Sequence, residues 1–243
     1  VGDAFTAFKR NNHPVIVPIT LPEFLYKTIK SKEEMDKHVN KNSSIERVHP
    51  EGRQLSYEVA DKIESLNLDG VYLVKESKRY YPYGKTLSHV LGYVGIDNQG
   101  LSGLELQYDK YLSGKDGSIK YTSDGKGNRL TNKEVYEKPQ DGMDITLTID
   151  IDIQLALERE LSNATTKYNP DESLGLVMDP NTGEVIAMAS NPSFDPNTYK
   201  NYDSTIINRN LPIWKNYEPG STFKIITLAA SVEEKTVDLI NES

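Results

Sequence analysis

Pro219-Gly-Ser-Thr-Phe-Lys-Ile-Ile-Thr-Leu-Ala-Ala-Ser231 sets Ser221 three residues before Lys224, at the head of a run apolar on almost every side. Such a run predicts a helix lying inside a domain rather than on it. Serine is a weak nucleophile until a base removes its proton. A lysine can be that base when desolvation disfavours its ammonium form. Positions i and i+3 of a helix face one side, which brings the two side chains within reach of each other. A helix start adds unpaired N–H groups and a positive dipole, both suited to a developing oxyanion. Gly220 leaves room where an acyl group would approach.

Ser-x-x-Lys also has a plain reading, a capping serine followed by a lysine whose stem lies along apolar surface. On the residues alone the two readings stand level. The motif occurs a second time, as Ser123-Asp-Gly-Lys126, in a glycine-rich turn without helix or apolar wall. A lysine there stays hydrated and charged, so that copy is read as an accident.

Outward from the pair, the second half alternates strands and helices. Ile145-Thr-Leu-Thr-Ile149 has strand period, and Asp150 then caps a helix striped by Ile153, Leu157, Leu161 and Ala164. Leu174–Met178 and Glu184–Met188 flank the turn Asp179-Pro-Asn-Thr-Gly183 as a hairpin. That turn is faintly similar to a calcium loop but lacks its length and its later bidentate glutamate.

The first half reads as mixed α+β. Ser31-Lys-Glu-Glu34 is a capping box leading to Met35 and Val39. Leu55, Val59, Ile63 and Leu66 recur at helical spacing, with Gly70 as the stop. Val71–Val74 is a β run, Arg79-Tyr-Tyr-Pro-Tyr-Gly84 a strand closed by turn residues, and the stretch around Ile119-Lys-Tyr121 predicts hairpins. Charge and tyrosine divide the chain. Residues 1–143 carry 21 Lys+Arg against 20 Asp+Glu and 11 of the 15 tyrosines, whereas residues 144–243 carry 7 against 16. Glu137-Lys-Pro-Gln-Asp-Gly142 has the character of a linker, so the expected domains are 1–143 and 144–243.

Composition removes whole classes of function. The 243 residues are 37% hydrophobic and 26% charged, with mean hydropathy −0.57, which describes a globular chain. Absence of cysteine excludes disulfides, thiol nucleophiles and thiolate metal sites. The histidines (His13, His38, His49 and His89) lack zinc spacing, and no metal or organic cofactor is expected. No run approaches the ~18 apolar residues of a membrane span. A net charge of −8 argues against nucleic acid as a partner.

A resemblance joins these pieces. Ser-x-x-Lys, with Ser-x-Asn and Lys-Thr-Gly, is the signature of penicillin-binding proteins and related β-lactamases. Tyr217-Glu-Pro-Gly-Ser-Thr-Phe-Lys224 resembles the nucleophile segment of class B penicillin-binding proteins, as does Asn208-Arg-Asn-Leu-Pro212 ahead of it. Arg79–Gly84, His89-Val-Leu-Gly-Tyr-Val-Gly95, Gly100-Leu-Ser-Gly-Leu-Glu105 and Tyr108-Asp-Lys-Tyr-Leu-Ser-Gly114 resemble that family's non-catalytic domain. Within the family the likeness leans towards members that build the endospore cortex, carried by Asp97-Asn-Gln-Gly100 and Ile225-Ile-Thr-Leu-Ala-Ala230. The chain departs from the family pattern in three ways. No Lys-Thr-Gly or Lys-Ser-Gly occurs, the one Ser-x-Asn is Ser65-Leu-Asn67 ahead of the nucleophile, and the family's Arg-Gly-x-Ile-x-Asp-Arg segment near the N-terminus is missing, with residues 1–20 matching no recognised pattern.

The resemblance implies an α+β architecture: an elongated pedestal (1–143), then the opening of a transpeptidase domain on an antiparallel sheet with helices (144–243). It implies a D,D-transpeptidase in which Ser221 is the nucleophile, Lys224 the general base and the Ser221 backbone N–H an oxyanion donor. Peptidoglycan stem peptides would be the substrates and β-lactams acylating mimics. It also implies an N-terminal membrane anchor absent from this chain, an extracytoplasmic catalytic part and a glycosyltransferase partner. The rival reading is a non-catalytic docking module, its tyrosines suited to an interface and its catalytic part inert as the chain stands. A Ser–Lys β-lactamase or sensor fits less well, because neither needs the large upstream domain.

Overall fold

The computed structural model describes residues 2–10, 37–38, 40–41, 45–49, 52–123 and 129–237. The capping box at Ser31–Glu34 lies outside them. Strand β1 (Gly2–Arg10) is the centre of an antiparallel sheet, flanked by β2 (Ile45–Arg47) and β3 (Val71–Lys78). Phe8 pairs with Arg47, and Gly2 with Lys78. Sequence patterning missed β1, because Phe5 and Phe8 stand three apart and give no period of two.

Helix α1 (Tyr57–Ser65) starts at Ser56, whose side chain accepts the Val59 N–H, and buries Ala60 and Ile63. Its end is a correction. The helix stops at Leu66, with Asn67 in the left-handed conformation (φ 47°), and Gly70 serves instead the turn into β3. Arg79–Gly84 is a second correction, being loop and turn rather than strand. Pro82 has no N–H for a ladder, and Tyr81 uses both backbone groups on a side chain. Its N–H donates to Asn197 Oδ1 (3.0 Å) and its carbonyl accepts from Asn197 Nδ2 (2.9 Å).

Three short helices follow, α2 (Ser88–Leu91), α3 (Gly103–Gln107) and α4 (Asp109–Leu112). Gly92, at φ 78°, allows α2 and α3 to meet, since a Cβ there would fall 1.9 Å from the Ser102 carbonyl. The expected hairpin is present as β4 (Ser118–Ser123) against β5 (Arg129–Glu137), with an irregularity between Lys120 and Thr122.

Ile145–Ile149 forms no strand and bends at Thr148, the third correction. It is tied to the next sheet only at its end, where Thr148 Oγ1 donates to the Val185 carbonyl and the Asp150 N–H to that of Ile186. Helix α5 (Ile151–Tyr168) begins as expected, the Asp150 carboxylate accepting from the N–H groups of Asp152 and Ile153. Its buried face departs from the expected stripe. Ile153 is exposed, and Gln154, 0% exposed, takes the inner position. Gln154 is admitted because its amide is fully used: it accepts from Met188 N–H (2.8 Å) and donates to the Met188 carbonyl (3.0 Å) and to Glu158 (2.7 Å).

Strands β6 (Ser173–Met178) and β7 (Val185–Asn191) make the expected hairpin and carry α5 on one face. Asp179 at its turn accepts from the N–H groups of Asn181 and Thr182, so the carboxylate works as a turn cap. A 3₁₀ segment (Pro196–Asn201), α6 (Ser204–Ile207) and α7 (Leu211–Trp214) lead to a 3₁₀ turn, Gly220–Phe223, and to α8 (Lys224–Glu233). The expectation that this last helix lies inside is corrected. Ile225 is 74% exposed, and Phe223, Ile226 and Leu228 also face solvent, because no described element covers them.

Candidate active site

Ser221 sits in the 3₁₀ turn and Lys224 is the first residue of α8, so the pair spans the junction of the two. Gly220 enters the turn at φ 57°, where an L side chain would be strained, and no atom lies near the place of a Cβ. Three residues apart across a helical junction, the two start from the same side of the backbone. The Lys224 N–H reaches back to the carbonyls of Ser221 and Thr222. No side chain caps the turn, which leaves its leading N–H groups open to an acceptor. Both residues are exposed, and among the described residues no hydrogen bond joins their side chains. The structure thus brings Ser221 and Lys224 into register without yet enclosing them. Ser123, of the second motif copy, belongs to β4.

The segment leading to this turn is held from two sides. From β7, Ser190 Oγ accepts the Leu211 N–H at 3.1 Å. From the first half of the chain, His89 Nε2 lies 2.9 Å from the Ile206 carbonyl, and Tyr93 OH donates to Asn208 Oδ1 at 3.0 Å. A carbonyl cannot donate, so Nε2 is the protonated nitrogen of His89. Burial holds the His89 imidazole below its ordinary pKa, against the opposing pull of that carbonyl bond.

Aromatic packing fixes these rings. Phe194, 0% exposed, meets His89 edge-on (5.1 Å, 88°) and Tyr93 edge-on (5.9 Å, 89°), while Tyr93 stacks on Tyr199 at 4.2 Å. Ile207 completes the cluster, which draws on both halves of the sequence. Nearby, Leu87 donates its N–H to Glu158 of α5 while held at φ 61°. Burial pushes the Tyr81 phenol well up, helped by Glu105, which also pairs with Arg79 (2.6 Å). A cavity of about 460 Å³ beside this joint is lined by His89, Leu104, Leu147, Met188, Asn210 and Ile213, and by neither Ser221 nor Lys224.

Phe194, Asn197, Glu158 and Gln154 went unread in the sequence. Besides local contacts such as Gln154 with Glu158, their partners lie 34 to 116 residues away, a separation at which periodicity carries no signal. Among the described residues no cluster of His, Asp and Glu could hold a metal ion. None of their helices is long and apolar enough to cross a membrane.

Comparison with known proteins now bears on this arrangement. The family model of the penicillin-binding protein dimerisation domain matches residues 15–147, more than half of the chain, and that of the penicillin-binding protein transpeptidase domain matches 174–242. The chain belongs to the class B penicillin-binding proteins. Stage V sporulation protein D of Bacillus subtilis is 51% identical over 210 residues, covering 86% of this chain and 32% of that protein. Peptidoglycan D,D-transpeptidase FtsI of Escherichia coli K12 is 35% identical over 185 residues, covering 76% of this chain and 31% of its own length. The chain therefore spans about a third of these relatives. Penicillin-binding protein 2X from Streptococcus thermophilus superposes with TM-score 0.61 at 22% identity, covering 97% of this chain and 39% of that one. A peptidoglycan synthetase from Bifidobacterium adolescentis gives 0.64 at 20%, covering 98% and 47%. The class B penicillin-binding protein fold is thus present as a dimerisation-type pedestal followed by part of a transpeptidase domain, in mixed helix and antiparallel sheet.

Proposed function

We propose that the protein carrying this chain is a serine D,D-transpeptidase of peptidoglycan, with Ser221 as nucleophile and Lys224 as general base. One observation carries the reading. The matched transpeptidase segment presents a serine in an uncapped turn, after a left-handed glycine and one helical register from a lysine. In the reaction Ser221 Oγ attacks the carbonyl of the penultimate D-alanine while Lys224 takes its proton. The C–N bond to terminal D-alanine breaks, and the departing amine receives that proton. An amine from a second stem then attacks the ester, forming the cross-link and freeing Ser221. The Ser221 backbone N–H is one oxyanion donor. β-Lactams acylate the same oxygen by ring opening. General-base assistance of this kind is worth about 10²–10⁴-fold.

The likeness to stage V sporulation protein D supports a role in sporulation; the family resemblance carries the further proposal of spore cortex synthesis by an anchored protein whose catalytic part lies outside the membrane and meets a glycosyltransferase. We put the division between pedestal and transpeptidase at 143/144, just after the linker-like stretch Glu137–Gly142. A second reading applies to the chain by itself: Ser221 and Lys224 are exposed, so these 243 residues alone are inert. The test is labelling of the protein with its complete transpeptidase domain by fluorescent penicillin. Ser221→Ala abolishes the label and Ser123→Ala leaves it unchanged. Retained labelling in Ser221→Ala overturns the assignment.

A further inference from the structure

We infer that Tyr93 and His89 are positioning residues for the acylation of Ser221, acting through the segment 206–211; this rests on the nucleophile assignment above. Both belong to the stretch matched by the dimerisation domain, yet both end on the chain that runs into the nucleophile turn. Within six residues that segment is fixed at Ile206 by His89, at Asn208 by Tyr93 and at Leu211 by Ser190. Among the described residues the Tyr93 hydroxyl is the only hydrogen-bond partner of the Asn208 side chain.

The holding groups are themselves rigid. The Tyr93 ring lies between Tyr199, on which it stacks, and the edge of the fully buried Phe194, and His89 packs on that same ring. Leu87, two residues before His89, stays at φ 61°, a conformation a bulky L residue keeps only under constraint from its surroundings. Glu158 supplies that constraint by accepting the Leu87 N–H at 2.9 Å. The nucleophile turn, by contrast, is exposed and uncapped. Back from that turn the chain runs through residues 212–219, where Lys215 pairs with Glu172, to the held segment. Small displacements of a nucleophile cost rate steeply, because attack needs a near-ideal approach.

The experiment uses the protein with its complete transpeptidase domain and resolves penicillin acylation into a binding constant and a maximal acylation rate. Tyr93→Phe keeps the stacked ring and loses only the hydroxyl. It is expected to lower the maximal rate about fivefold, the scale of one hydrogen bond, with the binding constant unchanged. Asn208→Ala is expected to do the same, and the double variant no more than either, because both remove one link. For His89, Gln keeps a donor towards the Ile206 carbonyl and retains the wild-type rate, whereas Phe does not. Equal maximal rates in wild type and Tyr93→Phe, with only a lowered melting temperature, reduce the contact to a staple and overturn the inference. A double variant falling about 25-fold overturns the route through Asn208. Failure of the wild type to acylate overturns the assignment of Ser221 itself, and this inference with it.

Discussion

His89 is buried, and its Nε2–H is committed to the Ile206 carbonyl. An unfolded histidine titrates near 6.5, and burial keeps the folded one lower. Between those values the unfolded chain holds a proton that the folded chain lacks. Stability is then complete above about 6.5 and declines as pH falls towards the folded value. The depressed carboxylates, such as Asp97 bonded to Arg53, act only below the carboxylate range and leave this window clear. Urea midpoints at pH 7.5 and 5.5 are expected to separate in wild type and to converge in His89→Gln; an equal pH dependence in both contradicts the account. Beyond that segment, Lys224→Arg keeps the charge but cannot give up its proton, since guanidinium stays protonated at any working pH. Penicillin acylation of the longer protein is expected to fall by about 10²-fold or more with melting temperature held. Near-normal acylation would make Lys224 a packing residue.

Among the elements, those that obey a local rule were legible. The β4–β5 and β6–β7 hairpins, the Asp150 cap and the body of α1 follow from turn residues and periodicity. Two of the departures share a cause, which is backbone satisfied by a distant side chain. Asn197 takes both backbone groups of Tyr81 and so removes Arg79–Gly84 from any sheet. Gln154 does the same for Met188 and so displaces Ile153 from the buried stripe. A polar residue at an inner helical position reads as outward-facing until its partner is known. Gln154→Leu therefore keeps shape and leaves the part-buried N–H and carbonyl of Met188 without their partner. The expected cost is roughly 2–5 kcal/mol, a fall of several degrees in the melting temperature of a chain this size. A melting temperature unchanged by the substitution would show that water replaces the amide.

For the molecule as a whole, the Ser–Lys motif was legible and its setting was not. The run 221–231 is apolar enough to read as interior, yet here it faces solvent, since burial depends on what is packed against a helix rather than on its own composition. What the chain does bury is the joint between its halves, where Tyr93, Phe194 and Ile207 meet. The fold thus delivers a held segment and an exposed turn bearing Ser221 and Lys224, which no described element encloses. Mass-spectrometric mapping after penicillin treatment tests this account most directly. In the protein with its complete transpeptidase domain, trypsin is expected to release Asn216–Lys224 carrying one penicilloyl group on Ser221, and the 243-residue chain is expected to carry none. An adduct on any other residue, or rapid stoichiometric acylation of the 243-residue chain, would contradict it.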